Sequence, residues 1–353
     1  MTDTLTRATQ LRHERAMDNQ FIAEHAALGK RVGEVVMRYG VGPNRIIPNL
    51  QRTRIEIKTA VWSQVLKPYY IGAGDDPFSG ASPNSQFARL LYEGIKGSIQ
   101  IQAERQVDIV KKATRNDDLV YNWLTGPRSQ TPILEIRQNT YDPFHMFVSP
   151  DGYTLSQNVW RNSQDVRKRI DSLLDYHIPL GTSAVDIADE LVRFLTPGAA
   201  GMKTNTPYGI EGSYAARRLA RTEITAAAGR ATVNGSKANP FVDEIKWSRS
   251  NSYRTKSPCD ICKERANGGK NNDGVYDVDK VPPYPAHPHE MCVLSPVVNK
   301  SSSDLAAELR RDIQANNPRA AALKGAFNTT WLANAMLNMS LENIIASIRG
   351  VPI

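Results

Sequence analysis

At 353 residues the chain is longer than one small domain and long enough to bury a sizeable core. Hydrophobic residues at 41% and charged residues at 23% are ordinary globular values, and no run of roughly 18 apolar residues offers a membrane span. The formal charge of +8 comes largely from one stretch, with 12 basic against 5 acidic residues between Ala215 and Lys270. A field of that sign attracts nucleic acid or an acidic protein surface, or is simply solvated. The polar start, Met-Thr-Asp-Thr-Leu-Thr-Arg, has no apolar core or small-residue cleavage site, so export is not expected.

The spacing of Phe21, Leu28, Val32, Val35 and Tyr39 predicts a helix with one apolar face, stopped by Gly40, Gly42 and Pro43. Ile55, Val61 and Val65 predict a second helix as far as Pro68. Residues 72–83 (GAGDDPFSGASP) read as a loop, and Phe87, Leu91, Ile95, Ile99, Val107 and Val110 predict a long helix after it. Four prolines, a β-favouring Ile133 to Ile136 and the aromatic residues Tyr141, Phe144 and Phe147 mark a boundary over 126–150. His145 there reads as a packed side chain.

Helical spacing resumes at Leu155 through Val159, Val166, Ile170 and Leu173. Ser183 is placed to cap the next helix, with Asp186 at its positive end and Ile187, Leu191 and Leu195 on one face, before Pro197-Gly198 ends it. An alanine-rich helix is expected over 213–233, carrying Arg218, Arg221 and Glu223 either as surface ion pairs or as a buried pair bracing the cysteine segment. Beyond Val298, Leu305, Leu309 and Ile313, and then Phe327 to Ile348, suggest further helices with no catalytic constellation.

Only three cysteines occur, Cys259, Cys262 and Cys292, which argues against a disulfide framework. Cys259-x2-Cys262 supplies two thiolates from one tight turn, and His289-x2-Cys292 has the spacing of a second. His287 is the competing nitrogen donor. Tetrahedral zinc takes four such donors, so Cys259, Cys262, His287, His289 and Cys292 are the candidate metal ligands. The alternatives are buried inert thiols, a redox pair, or a cysteine nucleophile with a histidine base, the last without any oxyanion-hole signature. Residues 273–279 (DGVYDVD) do not follow the EF-hand pattern and read as a solvated acidic turn.

One ordered series connects these features: Asp151-Gly152-Tyr153-Thr154-Leu155-Ser156, Gly181-Thr182-Ser183 ahead of a helix, Arg217-Arg218-Leu219-Ala220-Arg221-Thr222-Glu223, Trp247, Cys259-Asp260-Ile261-Cys262, Pro282-Pro283 and His287-Pro288. It resembles the Mu-F-like phage head-morphogenesis family over about residues 150–298. Members typically read His-Pro-x-Cys-x-Cys; here Glu290 stands at the first cysteine and Cys292 at the second, so one thiolate is missing. His289 could replace it, Glu290 could give an oxygen, or the turn could hold without metal.

The resemblance implies a minor head protein acting in procapsid assembly or in genome packaging and delivery, associated with the portal or the inner capsid surface; the zinc expected from the Cys/His spacing would then be structural. Its partners would be portal, major capsid or scaffolding protein, and packaged double-stranded DNA. It would reside in the virion interior, and in the host cytoplasm during assembly, with no membrane contact. The fold expected is α+β and predominantly α-helical: a helical N-terminal domain over 1–125, a boundary over 126–150, the Mu-F-like domain over 151–298 and a helical tail over 299–353. The protein is expected not to be an enzyme. The competing functions are a zinc-supported DNA-binding protein using Arg217, Arg218, Arg249, Arg254 and Lys256 on phosphates, and an enzyme with a cysteine nucleophile.

Overall fold

A computed structural model describes residues 2–74, 76–78, 83–113, 153–196, 212–239, 241–249, 259–287, 290, 292–299 and 311. The expected boundary over 126–150 and nearly all of the expected tail over 299–353 lie outside these residues, as do His145 and Ile133 to Ile136. The protein is predominantly α-helical, with one small antiparallel sheet. Helices α1 (Thr2–Met37), α2 (Gln51–Ala60), α3 (Lys67–Tyr70), α4 (Gln86–Ala113), α5 (Leu155–His177), α6 (Ala184–Leu195) and α7 (Gly212–Ala238) precede strand β1 (Val242–Ser248). Helix α8 (Asp260–Ala266) and strands β2 (Val275–Asp277) and β3 (Val293–Val298) follow.

These elements form two compact units. One contains residues 10–97 and the described residues of 146–225; the other contains residues 98–113, 226–299 as far as described, and the start of α1. Each unit therefore takes chain from both sides of 126–150, and α4 and α7 contribute residues to both.

In the all-helical unit, α1 buries Phe21, Leu28, Val32 and Val35 as their spacing requires, although the helix begins well before Phe21. Small residues let α6 come close: a Cβ on Gly33 would stand 3.2 Å from that of Ala188, and one on Gly29 the same distance from Val192 Cα. Ser183 caps α6 by accepting from the Asp186 N–H at 3.1 Å. Thr154 caps α5 in a reciprocal box, its hydroxyl accepting from Gln157 N–H while the Gln157 side chain accepts from Thr154 N–H. That box satisfies two of the donors every helix start leaves open.

Three expectations shift by a residue or a turn. Ile55 is exposed and Ile57 fills the core position, and Leu174 rather than Leu173 is buried on α5. The second helix also does not stop at Pro68. Residues Val61–Leu66 form a π-helical turn, with Lys67 N–H bonding back to Trp62 O. This five-residue bond widens the backbone just ahead of the proline, whose ring would otherwise collide with the preceding turn, and α3 continues to Tyr70.

The mixed unit holds the three-stranded sheet, order β2-β1-β3, with both pairs antiparallel. β1 buries Val242, Ile245 and Trp247, the irregular step between the first two reflecting a register shift at Val242/Glu244. Pro296 of β3 faces Ile245. Lys270 bridges Glu244 of β1 and Asp277 of β2, and Lys280 also pairs with Asp277. The carboxyl of Asp277 is accordingly held below its ordinary range by hydrogen bonds from the two lysines. The 273–279 segment thus spends part of its acidity on strand pairing.

His25 lies fully buried among Tyr69, Tyr70 and Phe87. Its Nδ1 is 2.7 Å from Phe21 O and its Nε2 3.2 Å from the Tyr70 hydroxyl, a pattern satisfied by the neutral ring donating from Nδ1. Burial, with a contribution from the positive charge of Arg217, pushes its pKa down to about 4. The unfolded chain takes up the proton near pH 6.5 while the folded chain does not, so stability falls as pH drops from about 6.5 towards 4. Over that window the loss approaches about 3 kcal/mol. Urea titrations between pH 7 and 4 should show this slope, and His25→Phe should flatten it even if the variant is less stable at pH 7.

Candidate metal centre

Two short turns of the mixed unit bring the sulfur donors together. The first opens α8, where Cys259 is in the extended conformation of an N-cap and its Sγ accepts from Cys262 N–H at 3.3 Å. A thiolate suits this position because the first turn of a helix presents unsatisfied N–H groups. The helical turn then brings the Cys262 Sγ to 3.0 Å from that of Cys259. Cys259 is exposed, whereas Cys262 is wholly buried beside Ile245, Trp247, Cys292 and Leu294.

The second turn leads into β3. His287 Nε2 lies 3.0 Å from Cys262 Sγ and 3.7 Å from a Glu290 oxygen. Glu290 has a fully buried side chain whose carboxylate oxygens stand 3.5 and 3.8 Å from Cys262 Sγ. The same carboxylate accepts from the backbone N–H of Ala286 at 3.3 Å and of Cys292 at 2.9 Å. Donor atoms of Cys259, Cys262 and His287 lie within 4.8 Å of one another, and so do those of Cys262, Glu290 and Cys292.

These five side chains are compatible with a metal site. Tetrahedral zinc–thiolate shells keep neighbouring sulfurs about 3.8 Å apart, so the Cys259–Cys262 pair would open by under about 1 Å. Of the expected ligands, Cys259, Cys262, His287 and Cys292 converge; His289 lies outside the described residues. Cys262 belongs to both groups.

The turn carrying His287 and Glu290 is positioned by contacts that the spacing of ligands does not reveal. Tyr284 donates its hydroxyl to Cys292 O at 2.8 Å and packs edge-on against Trp247, ring centres 5.2 Å apart. Arg265 of α8 covers the other ring at 5.0 Å and donates to Pro283 O. Arg105 of α4 reaches β3, donating to Leu294 O at 3.2 Å; burial pushes its pKa down to about 10, which leaves it charged at neutral pH. Gly274, with φ +81, lets the backbone pass under Trp247: a Cβ there would be 2.5 Å from Trp247 O.

The expected basic surface is only partly in view. Arg217 forms a two-point fork with Asp18, both bonds 2.8 Å, and Arg221 adds a third bond to the same carboxylate. Although burial pushes the Asp18 carboxyl up, these two guanidinium groups bring it below its ordinary range. Arg218 is half-buried and Arg249 exposed, while Arg254 and Lys256 lie outside the described residues. Glu223 is buried, with Asn158 Nδ2 at 3.5 Å from its Oε1.

No protein-family model, curated protein or solved structure matches this chain.

Gly229 of α7 is a direct test of how the second turn is held. A Cβ at this position would lie 2.0 Å from Tyr284 Cδ1, closer than the ring can tolerate without moving. Gly229→Ala should therefore lower stability by about 1–3 kcal/mol despite the better helix propensity of alanine, as read by urea unfolding. A neutral or stabilising result would mean that Tyr284 is not packed against this helix.

Proposed function

We propose that the chain is a non-enzymatic phage head-assembly protein of the Mu-F-like type, in which the Cys/His/Glu cluster is a structural zinc knuckle. The convergence of three cysteines from two separated turns carries the metal reading. The ordered series from Asp151 to His287-Pro288, with Trp247 and both cysteine turns at one small sheet, supports the family reading.

A structural staple suits this place in the chain. The sheet has three short strands, and α8 has only seven residues, too little regular structure to hold its own loops by hydrogen bonding alone. Zinc bound in the folded state alone contributes its binding free energy directly to folding. Thiolates of Cys259, Cys262 and Cys292 supply three positions, and the turn around His287 and Glu290 supplies the remaining one. The close Cys262–His287 pair does not favour a nucleophile, because Cys262 is wholly buried in the apolar core and offers no approach to a substrate.

In the assembly role the basic stretch lies beside packaged DNA through phosphate contacts, and portal, coat or scaffold is the protein partner. Elemental analysis of purified protein is the first test, with about one zinc per chain expected. Cys259→Ser and Cys292→Ser should each lose the metal and lower the Tm by on the order of 10 °C. Wild-type protein without zinc, or serine variants that keep it, would sink the staple. Copurification with assembling heads, and its loss when the gene product is removed, tests the assembly role separately.

A further inference from the structure

We infer that Cys259 and Cys262 form a redox latch on the metal site: a peroxide converts the pair to a disulfide, and the ion is released. The inference rests on the metal reading above and names how that site is regulated.

The two sulfurs differ in the way such a pair requires. Cys259 is exposed, whereas Cys262 is wholly buried. A solvent-accessible thiol beside a second one is the arrangement of redox-sensing cysteines: the outer sulfur meets the oxidant and the inner one resolves it. Their Sγ atoms stand 3.0 Å apart across the first turn of α8, so a covalent bond of about 2.05 Å needs closure by about 1 Å. Ligand pair and disulfide are therefore separated by a small side-chain movement within one turn.

Burial also selects the order of events. Cys292 is enclosed in the same apolar core as Cys262, so Cys259 is the sulfur that meets a dissolved oxidant. The enclosure that keeps a substrate from Cys262 does not impede this step, because its reaction partner is delivered by the chain itself.

The reaction balances on two electrons. The Cys259 thiolate attacks one peroxide oxygen; an S–O bond forms, the O–O bond breaks, and hydroxide or alkoxide leaves. The Cys262 thiolate then attacks the oxidised sulfur; the S–S bond forms, the S–O bond breaks, and a second hydroxide leaves. The peroxide gains the two electrons that the sulfurs lose. Two of the three thiolates are then withdrawn from the ion, and Cys292 with the turn around His287 and Glu290 offers too few donors to keep a tetrahedral shell.

The full zinc-loaded chain is treated with hydrogen peroxide in stepwise amounts. Zinc release is followed with a chromogenic chelator, and the cysteines are mapped by alkylation, digestion and mass spectrometry. About one zinc should appear for each Cys259–Cys262 disulfide, with Cys292 recovered as the alkylated thiol, and dithiothreitol with added zinc should reverse both changes. In Cys262→Ser, Cys259 should stop at the sulfenic acid and be trapped by dimedone. A disulfide that includes Cys292, Cys259 carried to sulfinic acid beside an unreacted Cys262, or zinc kept by the disulfide form overturns the inference and leaves the staple standing. If Cys262→Ser does not fold, the wild-type map decides alone. Wild-type protein that holds no zinc removes the metal reading, and the release step with it.

Discussion

The mixed unit depends on keeping two turns, one opening α8 and one leading into β3, within a few ångströms of each other. Backbone pairing does not accomplish this, because neither turn belongs to the sheet ladder. Side chains do: Cys262 is packed into the same apolar core as Trp247 and Cys292, and Tyr284 clasps the second turn to β3 through Cys292 O. The core is thus made partly of the groups that would bind the ion. Polar donors gathered in an apolar setting repel or compete when left to themselves, and a cation turns that liability into cohesion.

This arrangement separates the work of the cluster's members. Cys262 is central, shared by both donor groups and entirely enclosed, so it has the least freedom to change. Cys259 faces solvent but is tied to the start of α8, which makes the helix end and the sulfur position a single mechanical object. The all-helical unit uses different means: glycine and alanine at the α1–α6 approach, capped helix starts, and a neutral histidine enclosed by aromatic rings. Its polar burial is met in part by hydrogen bonds and by the Asp18 fork, while Asn162 Oδ1 and Thr196 Oγ1 are buried without a hydrogen-bond partner among the described residues.

Much of the helical architecture was legible in the sequence because periodic burial and capping residues are local signals. Ser183 and the apolar series beginning at Leu155 marked helix starts directly, and the cysteine spacing marked the donors. The π turn before Pro68 was not legible, since a proline in a helical pattern ordinarily signals an end and the widened turn leaves no residue code of its own. β1 was missed for a related reason: the shift at Val242/Glu244 breaks the alternation that identifies a strand. Arg105, Gly229 and Tyr284 matter through neighbours far along the chain, and no spacing rule reaches that distance.

The sheet order has a further consequence for solubility. β3 has β1 on one side, and among the described residues no strand lies on the other. An open strand is a template on which another chain can grow a continuous ribbon, the route by which small sheets clump. Pro296, in the middle of β3, interrupts that template because it carries no N–H to donate and resists inclusion in a central strand. The proline thus acts as a guard on the rim of the sheet, discouraging polymerisation when many copies are concentrated together.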